Sequence, residues 1–120
     1  MPSTKGKRTS VRLSPAAVEA LRGYGNEAFQ GHYSTALEQI LDDTIATIAK
    51  GDVTPPGEAT RAARQSLGIV ISAKCLNAVR LRSLRLGLAR HSDLIEAAVV
   101  QSLRKTPFWP SKTAKGVNNC

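Results

Sequence analysis

The feature that most constrains this chain is an internal repeat with no gaps. Displaced by about 58 positions, the sequence falls into register with itself. Val11 lands on Ile69, Leu13 on Ile71, Ser14 on Ser72, Val18 on Leu76 and Leu21 on Val79. Further along, Ser34 lands on Ser92, Leu37 on Ile95, Glu38 on Glu96, Leu41 on Val99 and Ile45 on Leu103. Identity is low, but apolar positions and candidate cap residues align over the whole unit. Any fold for this chain must therefore use the same short unit twice.

Each unit opens with a stretch of period-two alternation. In the first, Thr9, Val11 and Leu13 share one face of a strand while Arg8, Ser10 and Arg12 share the other. In the second, Leu67, Ile69 and Ile71 point inward and Ser66, Gly68 and Val70 outward. A helix start follows: Ser14 and Ser72 are N-cap residues, and Pro15 suits a first helical position because it has no amide to leave unpaired. Val18 and Leu21 are expected inward on the first helix, with Leu76, Val79 and Leu84 on its counterpart. Gly23 and Gly25 weaken the first helix and are expected to end or bend it. A second helix begins near Ser34 and Ser92, with Thr35/Glu38 and Asp93/Glu96 fitting reciprocal capping boxes. Its inward positions are Leu37, Ile40, Leu41, Ile45 and Ile48, then Ile95, Val99 and Leu103, a helical spacing that core packing explains without a ligand.

Aromatics are 4% of the 120 residues, so the core must be aliphatic, a composition suited to packed helices. The net charge is +8, and from Arg61 to Lys105 nine basic residues face only Asp93 and Glu96. Such a field favours polyanions, nucleic acid first and an anionic surface or acidic protein second. Cys75 falls in an apolar helical pattern and Cys120 in a polar tail, without ligand or disulfide spacing, which points to a reducing interior. No apolar run approaches a membrane span and no secretory signal pattern opens the chain, so no membrane association and a cytoplasmic location are expected.

A strand, a Ser-capped helix, a loop and a second capped helix within roughly 40 residues resemble the ribbon-helix-helix family of Arc, MetJ and CopG. The residues carrying the resemblance are Arg8 to Pro15, "RTSVRLSP", and Ser34 to Ile45; Ser66 to Leu103 matches the apolar pattern with a less typical ribbon. One strand and two helices cannot bury both apolar faces alone, so two units must interlock. Most relatives do so by dimerising. Two units in one chain resemble the tandem arrangement of TraY-type relaxosome accessory proteins. The expected fold class is mainly α with a short two-stranded antiparallel β-ribbon, as two fused units forming a pseudo-dimer within a monomer. The organisation is a basic arm at 1–7, units at 8–49 and 66–105, a linker at 50–65 marked by Pro55, Pro56 and Gly57, and a tail at 106–120. Glu58 to Gln65 can add a helical turn. The tail is expected to be largely disordered, with Phe108 and Trp109 docking on the core or on a protein partner.

The resemblance implies sequence-specific binding of double-stranded DNA, with the ribbon in the major groove. Carried over, Arg8, Ser10 and Arg12 become base readers of the first copy, and Ser66, Gly68 and Val70 occupy those positions in the second. Arginine can donate two hydrogen bonds to guanine. Gly68 and Val70 offer no side-chain hydrogen bonds, so either the second strand contacts a thymine methyl and approaches closely, or it only completes the fold; the two half-sites should be unlike. Phosphate contacts fall to Ser34, Thr35 and Ser92 at the second-helix starts, with Asp93 as an unfavourable neighbour, and to Lys5, Lys7, Arg61 and Arg64 beside the strands. Arg80, Arg82 and Arg85 read as a solvated helix face.

Nothing converges toward catalysis, a cofactor or a metal. His32 and His91 precede the second helices, where a turn or a phosphate contact accounts for them, and Gly23-Tyr24-Gly25 is too short for a nucleotide loop. The function expected is that of a transcriptional repressor or regulator. The alternatives are a relaxosome accessory protein binding a plasmid transfer origin during conjugation, and an antitoxin whose tail wraps a toxin. Cooperative binding of neighbouring copies on DNA is left open.

Overall fold

The structure is a computed structural model of the 120-residue chain and describes residues 7–53, 58–88 and 90–110. The chain is mainly helical, with one two-stranded antiparallel sheet. Strand β1 is Lys7–Leu13, followed by α1 (Pro15–Phe29) and α2 (Tyr33–Thr44). A 3-10 turn at Lys50–Asp52 and the short α3 (Glu58–Ala63) lie between the repeats. Then come β2 (Gln65–Ile71), α4 (Ala73–Arg85) and α5 (His91–Leu103).

The strand register carries the symmetry of the repeat. Lys7 pairs with Ile71, Ser10 with Gly68, and Leu13 with Gln65. Ser10 therefore lies opposite its own repeat equivalent, and the ribbon is centred on that pair. The inner face carries Val11, Leu13, Leu67, Ile69 and Ile71, all buried, over a core of Leu21, Leu37, Leu41, Leu94, Ile95 and Val99. Thr9, expected on the same face, is only half-buried at the ribbon's end, and Ile45 likewise sits half-buried at the edge of the core.

Both first helices start as their caps dictate. Ser14 Oγ accepts from Ala17 N–H at 3.2 Å and Ser72 Oγ from Cys75 N–H at 3.1 Å. Each satisfies a first-turn amide that has no partner within the helix. Contrary to expectation, α1 runs unbroken through Gly23 and Gly25. These glycines serve packing: a Cβ on Gly25 would lie 2.8 Å from Tyr33 Cα, and one on Gly23 would lie 3.3 Å from Phe108 Cδ1. The cost of glycine in a helix is offset by a close crossing that a side chain would prevent. The loop after α1 is closed by Gln30 in the left-handed region (φ 56°), its N–H bonded to Gly25 O.

Two other expectations are corrected. Leu84 is 74% exposed; the buried residue there is Ser83, the repeat equivalent of Gly25. Neither capping box forms. Helices α2 and α5 begin earlier, capped by His32 and Arg90, neither with a side-chain cap bond. Glu38 and Glu96 act across the repeat instead. In the tail, Phe108 and Trp109, expected to dock on the core or on a partner, are half-buried against the core; residues 111–120 lie outside the described ones.

Candidate nucleic-acid interface

A two-stranded ribbon covered on one face by helices must present its other face to solvent. Here that face holds three opposed pairs: Arg8 with Val70, Ser10 with Gly68, and Arg12 with Ser66. All six are exposed. The alternation expected from sequence places every candidate base reader on this surface, and no acidic residue shares it. Val70 is 46% exposed although apolar, and a Cβ added to Gly68 would meet nothing within 4 Å. The second strand thus contributes a small, smooth half to the face, while the first contributes both guanidinium groups.

The outer edges of the two strands are tied down by the second helices. Ser34 Oγ accepts from Val70 N–H at 3.0 Å, and Ser92 Oγ accepts from Arg12 N–H at 3.1 Å. These two bonds are repeat equivalents, each running from the second helix of one half to the strand of the other. They satisfy edge amides that a two-stranded sheet leaves open. Glu38 accepts from Ser72 N–H at 3.2 Å and from Ser72 Oγ–H at 3.0 Å, and Glu96 accepts from Ser14 N–H at 2.9 Å. The ribbon is thereby held rigidly from both sides by charge-assisted bonds.

The flanks of the ribbon differ. Beside β2, the start of α2 opens onto a groove of about 760 Å³ whose lining includes Arg8, Ser10, His32, Ser34, Thr35 and Val70. Thr35 is exposed, and His32 supplies no side-chain acceptor to the first-turn amides of α2. Tyr33 closes the groove's inner wall, its hydroxyl donating to Gly68 O at 3.0 Å. The equivalent place at the start of α5 is a notch of about 40 Å³ lined by Arg12, Arg64, Arg90 and Ser92. There Asp93 stands where α2 has Thr35, and it is buried against Arg64 (Nη1 to Oδ1, 2.8 Å).

Arg64 is the site residue that the structure removes from the sequence-based set. Only 8% exposed, it bonds Asp93 and approaches Glu96 at 3.5 Å. A buried guanidinium so paired is structural, and Asp93 in turn is neutralised rather than facing solvent. Arg12 reaches back to Arg64 O at 3.3 Å, which orients its side chain along the ribbon. Ser34 and Ser92 are half-buried and already accept one bond each. Lys5 lies outside the described residues, as do the side chains of Lys7 and Arg61.

Sequence reasoning missed Arg90 and Tyr33. Arg90 is exposed and lines the notch beside Arg12. Its signal was positional: it is the repeat equivalent of His32. His91, equivalent to Tyr33, is half-buried with Nε2 unpartnered, and burial together with the nearby Arg80 charge lowers its pKa. Cys75 is buried, and burial followed by the charges of Glu38 and Asp42 pushes its thiol up to about 11.

Among the described residues, no helix is long and apolar enough to cross a membrane, and no cluster of three or more His, Cys, Asp or Glu is placed to hold a metal ion. No protein-family model, curated protein or solved structure matches the chain.

Proposed function

We propose that this chain is a ribbon-helix-helix protein folded as an intramolecular pseudo-dimer, which binds double-stranded DNA in a sequence-dependent way and acts as a regulator of transcription. The observation that carries the reading is the exposed ribbon face, with Arg8, Ser10 and Arg12 aligned opposite Val70, Gly68 and Ser66. A two-stranded ribbon fits the major groove, and its outward side chains then meet base edges. The pseudo-dimer is supported by the paired cross-repeat bonds, Ser34 to Val70 with Ser92 to Arg12, and Glu38 to Ser72 with Glu96 to Ser14.

Base reading falls mainly to the first strand. Arg8 and Arg12 favour guanine by bidentate donation, and Ser10 adds a donor or acceptor between them. Val70 can pack on a thymine methyl, and Gly68 lets the backbone come close. Phosphate is held at Ser34 and Thr35, where first-turn amides and the positive end of α2 face an open groove. The α5 side has no such opening because Asp93 and Arg64 neutralise each other there, so Ser92 acts through its bond to the ribbon, and Arg90 supplies phosphate attraction at long range. The DNA site is asymmetric as a result.

Selection of bound sequences from a random duplex pool tests the reading. A short, non-palindromic consensus with guanines is expected. A protein that retains no duplex even at low salt would overturn it.

A further inference from the structure

Helix α4 presents an unusual surface. Leu81 and Leu84 are 58% and 74% exposed, and the helix carries exposed Lys74, Arg80 and Arg85 but no acidic residue. Among the described residues nothing covers this leucine pair. The same place on α1, Gly23, is covered by Phe108. Pairing α4 with α4 of another molecule would bring like charges together, which is destabilising.

A receptor of the opposite character exists elsewhere on the chain. An open pocket of about 350 Å³ is lined by Tyr24, Ile40, Leu103 and Phe108 together with Asp43, Ser102 and Thr106. The rings of Tyr24 and Phe108 form one wall, 5.7 Å apart between centroids. Asp43 is exposed, holding a single bond from Gln39 Nε2 at 3.2 Å, and the equally exposed Asp42 adjoins it. The pocket has room for one leucine side chain, and Asp43 offers its carboxylate to an arginine beside that leucine.

We infer that the α4 face is a docking surface for a second copy of this chain, with Leu84 of one copy seated in the Tyr24–Phe108 pocket of the next and Arg85 meeting Asp43. The two surfaces differ, so the contact is heterologous and adds copies head to tail rather than closing a dimer. One apolar side chain and a rim ion pair make a small contact, well below the area of a permanent interface. It is populated at high protein concentration, or where copies are held side by side. The inference does not depend on DNA binding.

Sedimentation velocity of the full chain without DNA, from micromolar to near-millimolar concentration, tests it. At low salt the wild type shifts from monomer to larger species as concentration rises, and added salt reverses the shift. Leu84→Asp and Asp43→Lys both change exposed positions, and each variant remains monomeric throughout. Mixed in equal amounts they form dimers and nothing larger, because each retains the face the other lacks. Wild type that stays monomeric at every concentration would overturn the inference. So would a variant that associates like wild type, or a mixture that stays monomeric or grows beyond dimers.

Discussion

Glu38, on the second helix of the first repeat, accepts both the backbone N–H and the hydroxyl of Ser72, the cap of the first helix of the second repeat. Its equivalent Glu96 accepts from Ser14 N–H. The two halves are thus locked by carboxylates reaching into each other's helix starts. Glu38→Ala strands a half-buried amide and removes bonds to a charged group, and should cost about 1.5–3 kcal/mol. Urea unfolding would show this as a lower midpoint at unchanged slope.

Arg64 and Asp93 form a buried pair, so breaking it from one side leaves an uncompensated charge. Asp93→Ala is expected to destabilise by about 3–5 kcal/mol, whereas an apolar replacement of both partners at similar volume should be close to neutral. Thermal melts of the single and double variants check this. If Arg64→Ala left stability intact and only weakened DNA binding, its role here would be refuted.

Gly25 and Gly68 make a contrasting pair. Gly25→Ala places a Cβ against Tyr33 backbone, forcing α1 and α2 apart at about 1–3 kcal/mol. Gly68→Ala meets open space and should leave stability nearly unchanged while altering affinity for DNA. Unfolding and binding measured on both variants separate packing from recognition.

Titration should narrow the stable range from both ends. The Cys75 thiol is raised to about 11, so its contribution is present below its unfolded value of 9.0 and is lost as pH rises through the folded one. The pKa of His91 is lowered, so its contribution is present above its unfolded value of 6.5 and fades as pH falls through the folded one. Stability measured against pH should fall on both flanks, with Cys75→Ala flattening the alkaline flank and His91→Gln the acid one. Native Cys75 should also resist alkylation at neutral pH until denaturant is added.

Much of the fold was legible because its signals are local. The alternation at Arg8–Leu13 assigned strand faces, Ser14 and Ser72 marked helix starts, and the repeat pointed to strand pairing. What stayed hidden depends on contacts between halves. Arg64 looks like any basic residue beside a strand until Asp93 arrives from 29 positions away. Glu38 and Glu96 fit a capping box by spacing, yet their partners lie across the repeat. Leu84 fits a helical apolar stripe, but the helix buries Ser83 instead and Leu84 faces outward. Gly25 looked like a helix breaker because its reason, Tyr33 backbone, belongs to another helix.

Arg12 is the residue on which recognition should turn. Arg12→Ala is expected to reduce affinity for a selected site by about 10- to 100-fold, matching the loss of one bidentate base contact of ~1–3 kcal/mol, with a smaller loss on random duplex. Competition binding on both duplexes measures the ratio. Equal loss on both would make Arg12 a phosphate contact only.

If the proposed function holds, DNA meets the outer face of a ribbon built within one chain. Backbone amide NMR shifts recorded while a selected duplex is titrated into the labelled protein test it most directly. Saturation at one chain per site is predicted, with the largest changes at Arg8–Arg12, Ser66–Val70 and Ser34–Thr35, and little change at the buried Ala97, Ala98 and Val99 of α5. Changes centred on α4 or the tail, with the ribbon amides unmoved, would contradict it.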